Sequence, residues 1–328
     1  MKGKEHWRWL GIYSRRMAMT MTASWSRWFA VGIIASLIAV GASPYVSAQQ
    51  PSTSVETPPE AKPEDKGPNT GRISLNFGVD FATAYYFRGI AQEQNGANFQ
   101  PSGSLSFKLI ENAGPLTALT ATPAFWNNWH AGGGTIVDPV DPKFWYESDL
   151  IFTLGATLWE NVTLGLTYTA YTSPNDSFKT VQELAFSLSL NDSKWLGAFA
   201  LNPSLLVAGE VAGQADAGSH RGVYLQLGIN PGYTLAPKSD YPLTISLPVT
   251  LGLSGHSYYE FGTTKNPTFG YVQLGPVFSV PLGFIPKSFG TWTVKGAAEF
   301  LFLGETLKAL NDNDSFKPIG RIGIAAVY

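Results

Sequence analysis

The chain has 328 residues, a formal charge of -2, no cysteine, 14% charged residues and 13% aromatic residues. The missing cysteines exclude disulfides, thiol catalysis and thiolate metal sites. A charged fraction well under the roughly one quarter of ordinary soluble domains implies that much of the surface is not covered by water. The first 48 residues hold six of the 22 Lys and Arg but one of the 24 Asp and Glu. The remainder therefore carries 16 basic and 23 acidic side chains, which argues against nucleic-acid binding.

Residues 1–28 are basic, and residues 29–42 form an apolar run of fourteen. Pro44 and the small-residue stretch Val46-Ser47-Ala48 follow. That order predicts a secretion signal over 1–48, cleaved after Ala48. Fourteen residues fall short of the about 20 a membrane-spanning helix needs. Residues 49–71 are rich in Pro, Glu, Ser, Thr and Lys, with Val55 the sole aliphatic side chain larger than alanine. Such a segment buries no core and reads as a disordered periplasmic tail.

From residue 72 onward, period-two alternation dominates. Twelve strands are predicted, over 72–88, 98–110, 116–127, 143–158, 161–171, 178–190, 196–211, 219–234, 241–255, 267–281, 290–303 and 316–328. In the first, Ile73, Leu75, Phe77, Val79 and Phe81 alternate with Ser74, Asn76, Gly78 and Asp80. In the ninth, Leu243, Ile245, Leu247, Val249, Leu251 and Leu253 oppose Thr244, Ser246, Thr250, Gly252 and Ser254. These segments exceed the about 5–6 residues of average soluble strands. Their second face is small and polar, which suits the lumen of a membrane barrel whose apolar face meets lipid. The fold expected is all-β: a transmembrane, antiparallel, up-and-down β-barrel of about 12 strands over 72–328. Loops after odd strands average about ten residues and turns after even strands about five, matching long external and short periplasmic connections. The last strand ends on Tyr328, an aromatic terminus of the kind that barrel assembly machinery reads, so that machinery and outer-membrane lipids are expected partners. Tyr85, Phe87, Phe125, Trp126, Trp129, Phe144, Trp145, Tyr146, Tyr233, Tyr241, Tyr258, Tyr259 and Trp292 fall near strand ends and predict aromatic girdles at the headgroup level. For residues 126–130, Trp126-Asn127-Asn128-Trp129-His130, sugar stacking is the alternative.

The first predicted strand ends in Thr83-Ala84-Tyr85-Tyr86-Phe87-Arg88-Gly89-Ile90-Ala91-Gln92. Through Tyr85, Phe87, Arg88, Gly89 and Gln92 it resembles the opening signature of the TorF-type (Gcw_chp) outer-membrane porin family. Ala84 stands where that pattern has an acidic residue and Ala91 where it has a hydroxyl. Residues 100–107 and 121–128 look like the second hairpin of the same family. The resemblance covers 73–130 and implies an outer-membrane location and a barrel fold.

By parity the inward charges are Asp80, Arg88, Lys108, Glu147, Asp149, Glu183, Glu210, Lys295, Glu299, Lys317 and Arg321. A lipid-facing Arg or Lys at mid-membrane costs about 2–4 kcal/mol, so the lumen is where charges belong. They either line a narrow pore or pair and plug it. Twelve strands enclose less space than the 16–18 of open porins, which predicts a channel for small hydrophilic solutes or ions. The alternatives are a barrel enzyme acting on lipid and a closed structural or adhesive barrel. For the enzyme, His256-Ser257 is the candidate pair, although neighbours on a strand point apart. Glu147 and Asp149, two apart on one face, read either as lumen carboxylates meeting Lys or Arg, or as a cation or acid–base pair. Residues 311–314, Asn311-Asp312-Asn313-Asp314, lack calcium-loop spacing and read as a polar external loop. With no phosphate loop or His-Glu zinc motif, no cofactor or metal is expected.

Overall fold

A computed structural model describes residues 72–94, 96–130, 144–261 and 267–328. The expected signal, its cleavage at Ala48, the Pro-rich tail and most of the second external loop lie outside these residues. Strands follow the alternation: β1 (Ile73–Ala82), β2 (Tyr85–Phe87), β3 (Ile90–Glu93), β4 (Asn98–Ala113), β5 (Leu116–His130), β6 (Trp145–Leu158), β7 (Val162–Thr172), β8 (Val181–Leu190) and β9 (Ser204–Ala212). They continue as β10 (Val223–Ile229), β11 (Gly232–Leu235), β12 (Leu243–Ser246), β13 (Val249–His256), β14 (Phe269–Leu274), β15 (Val277–Pro281), β16 (Thr291–Leu303) and β17 (Phe316–Val327). Two short helices, α1 (Ser193–Leu196) and α2 (Glu305–Ala309), sit in connections.

All pairings are antiparallel. The sheet closes on itself where β17 pairs with both β16 and β1. Leu75 and Tyr328 exchange both backbone hydrogen bonds at 2.8 Å, completing the seam. The result is a closed twelve-stave β-barrel. Three adjacent staves are built from two strands each, β10–β11, β12–β13 and β14–β15. Each break falls at a proline, Pro231, Pro248 or Pro276, because proline has no N–H to give the ladder. Here Leu247 N–H still reaches Pro231 O at 2.8 Å and Ala298 N–H reaches Pro276 O at 3.2 Å.

The zigzag decides what faces outward. On β6, Leu150, Phe152 and Leu154 are exposed while Asp149, Ile151 and Thr153 are buried. Leu166 and Tyr168 on β7, Leu184 and Phe186 on β8 and Ile322 and Ile324 on β17 repeat the exposed apolar set. A continuous apolar outer wall around a polar inner face is the reverse of a soluble protein. Among the described residues no helix is long and apolar enough to cross a membrane.

Two expectations need correction. The first strand does not run to 88; it leaves the wall after Ala82, and residues 85–93 form a separate hairpin, β2–β3. The short turn expected at 191–195 extends to 203 and carries α1.

Candidate functional site: a pinned hairpin inside the barrel

The inner face changes character along the barrel. In the half nearer Tyr328 it is partly exposed and small: Ser74, Asn76, Ser104, Thr163, Ser187, Ser189, Ser204 and Gly228. In the opposite half, expected to be external, it is buried and large: Trp126, Tyr171, Glu183, Glu210, Tyr224 and Tyr271. What buries it is the β2–β3 hairpin, which folds inward instead of forming the expected external loop.

The hairpin has a two-residue turn, Arg88-Gly89, with φ of 49° and 81°. Positive φ at both positions is the type I′ geometry that matches strand twist. Gly89 suits it; Arg88 is a non-glycine residue held in the left-handed region, which its surroundings must compensate. A Cβ on Gly89 would lie 2.6 Å from the Leu307 side chain on α2, so the turn also requires close approach.

Arg88 is fully buried. Its two terminal nitrogens donate to both Glu183 oxygens, at 2.6 and 2.8 Å. This is the two-point guanidinium–carboxylate geometry. One nitrogen also donates to the Tyr258 hydroxyl at 2.8 Å. The guanidinium carbon sits 4.0 Å from the Tyr224 ring centre and 5.0 Å from that of Phe87, a desolvated cation–π arrangement. The Tyr171 hydroxyl donates to Glu183 at 3.3 Å. From the other side the Tyr259 hydroxyl donates to Arg88 O at 3.2 Å, and Asn311 Nδ2 to Gly89 O at 3.4 Å.

The hairpin's flank docks on β5 and β6. The Tyr85 hydroxyl donates to Glu147 at 2.7 Å, and the Tyr85 ring packs 5.3 Å from that of Trp126. The Tyr146 hydroxyl donates to Gln92. His130 lies 3.4 Å from Glu93 and stacks on Tyr146 at 4.3 Å. The expectation that Glu147 and Asp149 meet lysine or arginine fails: among the described residues neither has a basic partner, and Tyr85 occupies the place.

A second charged cluster lines the seam. Arg321 Nε donates to Glu299 at 3.0 Å, and its terminal nitrogen donates to Gln100. Gln273 donates to the other Glu299 oxygen at 2.9 Å. Asp80 and Lys295 lie level with each other, both in register with Gly323. A Cβ there would lie 1.8 Å from Asp80 Oδ1. Gly323→Ala should therefore destabilise the barrel by about 1–3 kcal/mol, read as an unfolding midpoint in denaturant, and Asp80→Ala in the same chain should recover part of the loss.

The remaining predicted inward charges divide. Glu210 accepts backbone N–H groups of Ala215 and Gly222, both at 2.6 Å. Lys317 reaches Gln94 at 3.2 Å and Asp314 at 2.9 Å. Lys108 shares no cluster: beside a bulge in β4, it pairs with Glu111 at 2.7 Å, both about 40% exposed. External loops cap the hairpin. Asp216 accepts N–H groups of Gly218, Glu260 and Phe261, tying 213–222 to 257–261. Burial pushes its carboxyl upward against those amides.

The girdle expectation splits as well. Phe144, Trp145, Tyr233 and Tyr241 are exposed as a girdle requires. Tyr85, Phe87, Trp126, Tyr146, Tyr258 and Tyr259 are instead buried around the hairpin. Trp126 and His130, 1% and 2% exposed, take no part in any sugar platform, whereas Trp129 is half-buried and stacks on Phe99 and Phe144. Asn311 is buried under Gly89 rather than free in a polar loop. His256 is exposed and Ser257 buried, which leaves that pair without the geometry of a nucleophile and its base. Sequence reasoning missed Tyr171, Tyr224 and Tyr271; their signal is an aromatic at an inward parity position.

A closed antiparallel barrel, apolar outside and polar inside, defines an outer-membrane β-barrel protein. Solved structures of that type match the chain. The NanC porin is 12% identical over 77% of this chain and 98% of its own, with a TM-score of 0.38. The COG4313 outer-membrane channel from Pseudomonas putida F1 is 15% identical over 82% and 100%, with a TM-score of 0.46. The β domain of the Bordetella autotransporter BrkA is 10% identical over 77% and 98%, with a TM-score of 0.36. No family model and no curated protein matches, so the TorF-type resemblance stands on the residues quoted for it.

Proposed function

We propose that the protein is a porin-like outer-membrane channel for small hydrophilic solutes or ions, narrowed at its external end by the β2–β3 hairpin. The observation that carries this reading is the lumen's asymmetry. A Ser-, Thr- and Gly-lined periplasmic half leads to a constriction made of one hairpin and one buried Arg88–Glu183 pair. Asp80, Lys295, Glu299 and Arg321 line the path at the seam; Glu147, Asp149, Glu183 and Glu210 line the opposite arc behind the hairpin, and Lys317 and Lys108 mark the path's outer and periplasmic ends. Residues 1–48 act as the secretion signal and 49–71 as a periplasmic tail, with Tyr328 read during assembly.

The filled external half favours a second reading, a closed barrel whose loops do the work. Planar-bilayer recording separates the two. The full chain is expected to give small discrete steps. A variant with residues 84–93 replaced by a short Gly-Ser link is expected to give steps several-fold larger. If neither passes current after folded insertion, the channel reading is lost and the closed barrel stands.

A further inference from the structure

We propose that the carboxylates facing the β2–β3 hairpin form a binding site for small organic cations with a guanidinium head, of which Arg88 is the tethered occupant; this rests on the channel reading and names the solute class that the path admits. The carboxylates form a belt across four consecutive staves. Asp149 on β6 is in register with Tyr171 on β7, Thr169 on β7 with Glu183 on β8, and Glu183 with Glu210 on β9. Glu147 belongs to the same inward row as Asp149. All four carboxylates are buried. Among the described residues Arg88 is the only base that reaches any of them. Four acids against one base leave the belt short of positive charge. Two polar atoms on its inner face, Asp149 Oδ1 and Thr169 Oγ1, have no hydrogen-bond partner, and their residues are 2% and 1% exposed.

Arg88 shows what the belt recognises. Glu183 takes one edge of the guanidinium through both oxygens, and the Tyr258 hydroxyl accepts a third hydrogen bond. The Tyr224 ring centre lies 4.0 Å from the guanidinium carbon. Such a set fits a planar cation with two donors on one edge, and an ammonium group makes only part of it. Rings line the site, and among the described residues no three acidic or histidine side chains gather as metal ligands do, so an organic cation fits and a hard metal ion does not. None of these contacts uses the chain behind the guanidinium, because Arg88 Nε has no hydrogen-bond partner. A free guanidinium therefore keeps every contact that the tethered one makes.

Exchange of one guanidinium for another sets what opens the path. Withdrawing Arg88 alone strands a buried carboxylate beside Glu210, which is strongly unfavourable. When a like cation takes its place the pair at Glu183 is kept, and the turn is released from its left-handed φ of 49° at Arg88. The hairpin thus yields to a solute that replaces Arg88 and holds against one that does not. Anions meet the unpaired carboxylates of the belt and are repelled. A group on a short tether competes at an effective concentration of about millimolar, so millimolar solute is the range in which the exchange is expected.

The test has two arms, both on the full chain. In planar bilayers with potassium chloride on one side and guanidinium chloride on the other, the reversal potential of wild type is expected to show guanidinium passing about tenfold better than potassium. Glu183→Gln should lose that preference. The second arm needs no current. Arg88→Ala is refolded in detergent with and without millimolar ethylguanidinium chloride, and the yield and heat-shift midpoint of the folded barrel are read. Both should rise with ethylguanidinium, far less with butylammonium chloride at the same concentration, and with neither salt in Arg88→Ala/Glu183→Gln. A conducting wild type that passes the two cations equally overturns the proposal. So does a rescue that butylammonium matches, or no rescue at all, an Arg88→Ala chain that never folds included. A silent wild type with the rescue intact removes the channel reading and keeps the binding site; current without preference or rescue removes the site and keeps the channel.

Discussion

Replacing Arg88 by alanine is expected to open the external end of the barrel and to destabilise the fold by about 3–5 kcal/mol. The reason is asymmetric. Arg88 and Glu183 are almost wholly shielded from water, so deleting one leaves a buried charge with no partner. Glu183 would keep the Tyr171 hydroxyl, but its register partner is another carboxylate, Glu210, which can only repel it. The strained turn at Arg88 would also lose what compensates its positive φ. Bilayer recording should show larger or noisier steps, and heat-shifted mobility should convert at lower temperature. Arg88→Lys should rescue little, since an ammonium cannot make the two-point contact. The variant Arg88→Ala/Glu183→Gln should recover part of the stability while keeping the larger conductance. An alanine variant with wild-type conductance would mean that the hairpin is not what narrows the path.

The second large effect tests the outer wall. Phe152→Arg is expected to cost about 2–4 kcal/mol in a bilayer, because Phe152 is 45% exposed on the outward face of β6 among Leu150 and Leu154. Ser189→Arg, on the partly open inner face of β8, should cost under about 1 kcal/mol, since a lumen charge keeps its water. Denaturant unfolding from vesicles reads both. Equal costs at the two positions would mean that hydrocarbon does not cover the apolar face.

The staves were legible because their signal is local. On β1, β8, β16 and β17 a side chain two residues on faces the same medium, so parity alone places Asp80, Glu183, Lys295, Glu299 and Arg321 inside. The hairpin was not legible for the same reason. Residues 83–93 read as extended chain whether they continue the wall or leave it. What turns them inward is Glu183, Tyr258 and Asn311, at positions no local pattern connects to Arg88. One local cue existed: two residues, Arg88-Gly89, between Phe87 and Ile90 fit a tight I′ turn. The girdle expectation failed at Tyr258 and Tyr259 because a ring near a strand end can lie at a headgroup or fold over the lumen, and alternation is silent past the last paired residue. The broken staves were marked by Pro231, Pro248 and Pro276, whose missing amide interrupts a ladder.

The separation between the Arg88-Gly89 turn and its partners bears on how the chain assembles. Glu183, Tyr258 and Asn311 enter 95, 170 and more than 220 positions later. Contacts so distant along the chain form late, after the entropy of closing the intervening loops has been met. Until β8 arrives nothing can pair the guanidinium, until Tyr258 and Tyr259 follow β13 the turn is uncovered, and until Asn311 follows β16 nothing holds Gly89 O, so an unfinished cylinder is an incompletely stoppered one. Corking and completion thus become a single event, and a protease that cuts at Arg88 would distinguish finished molecules from stalled ones.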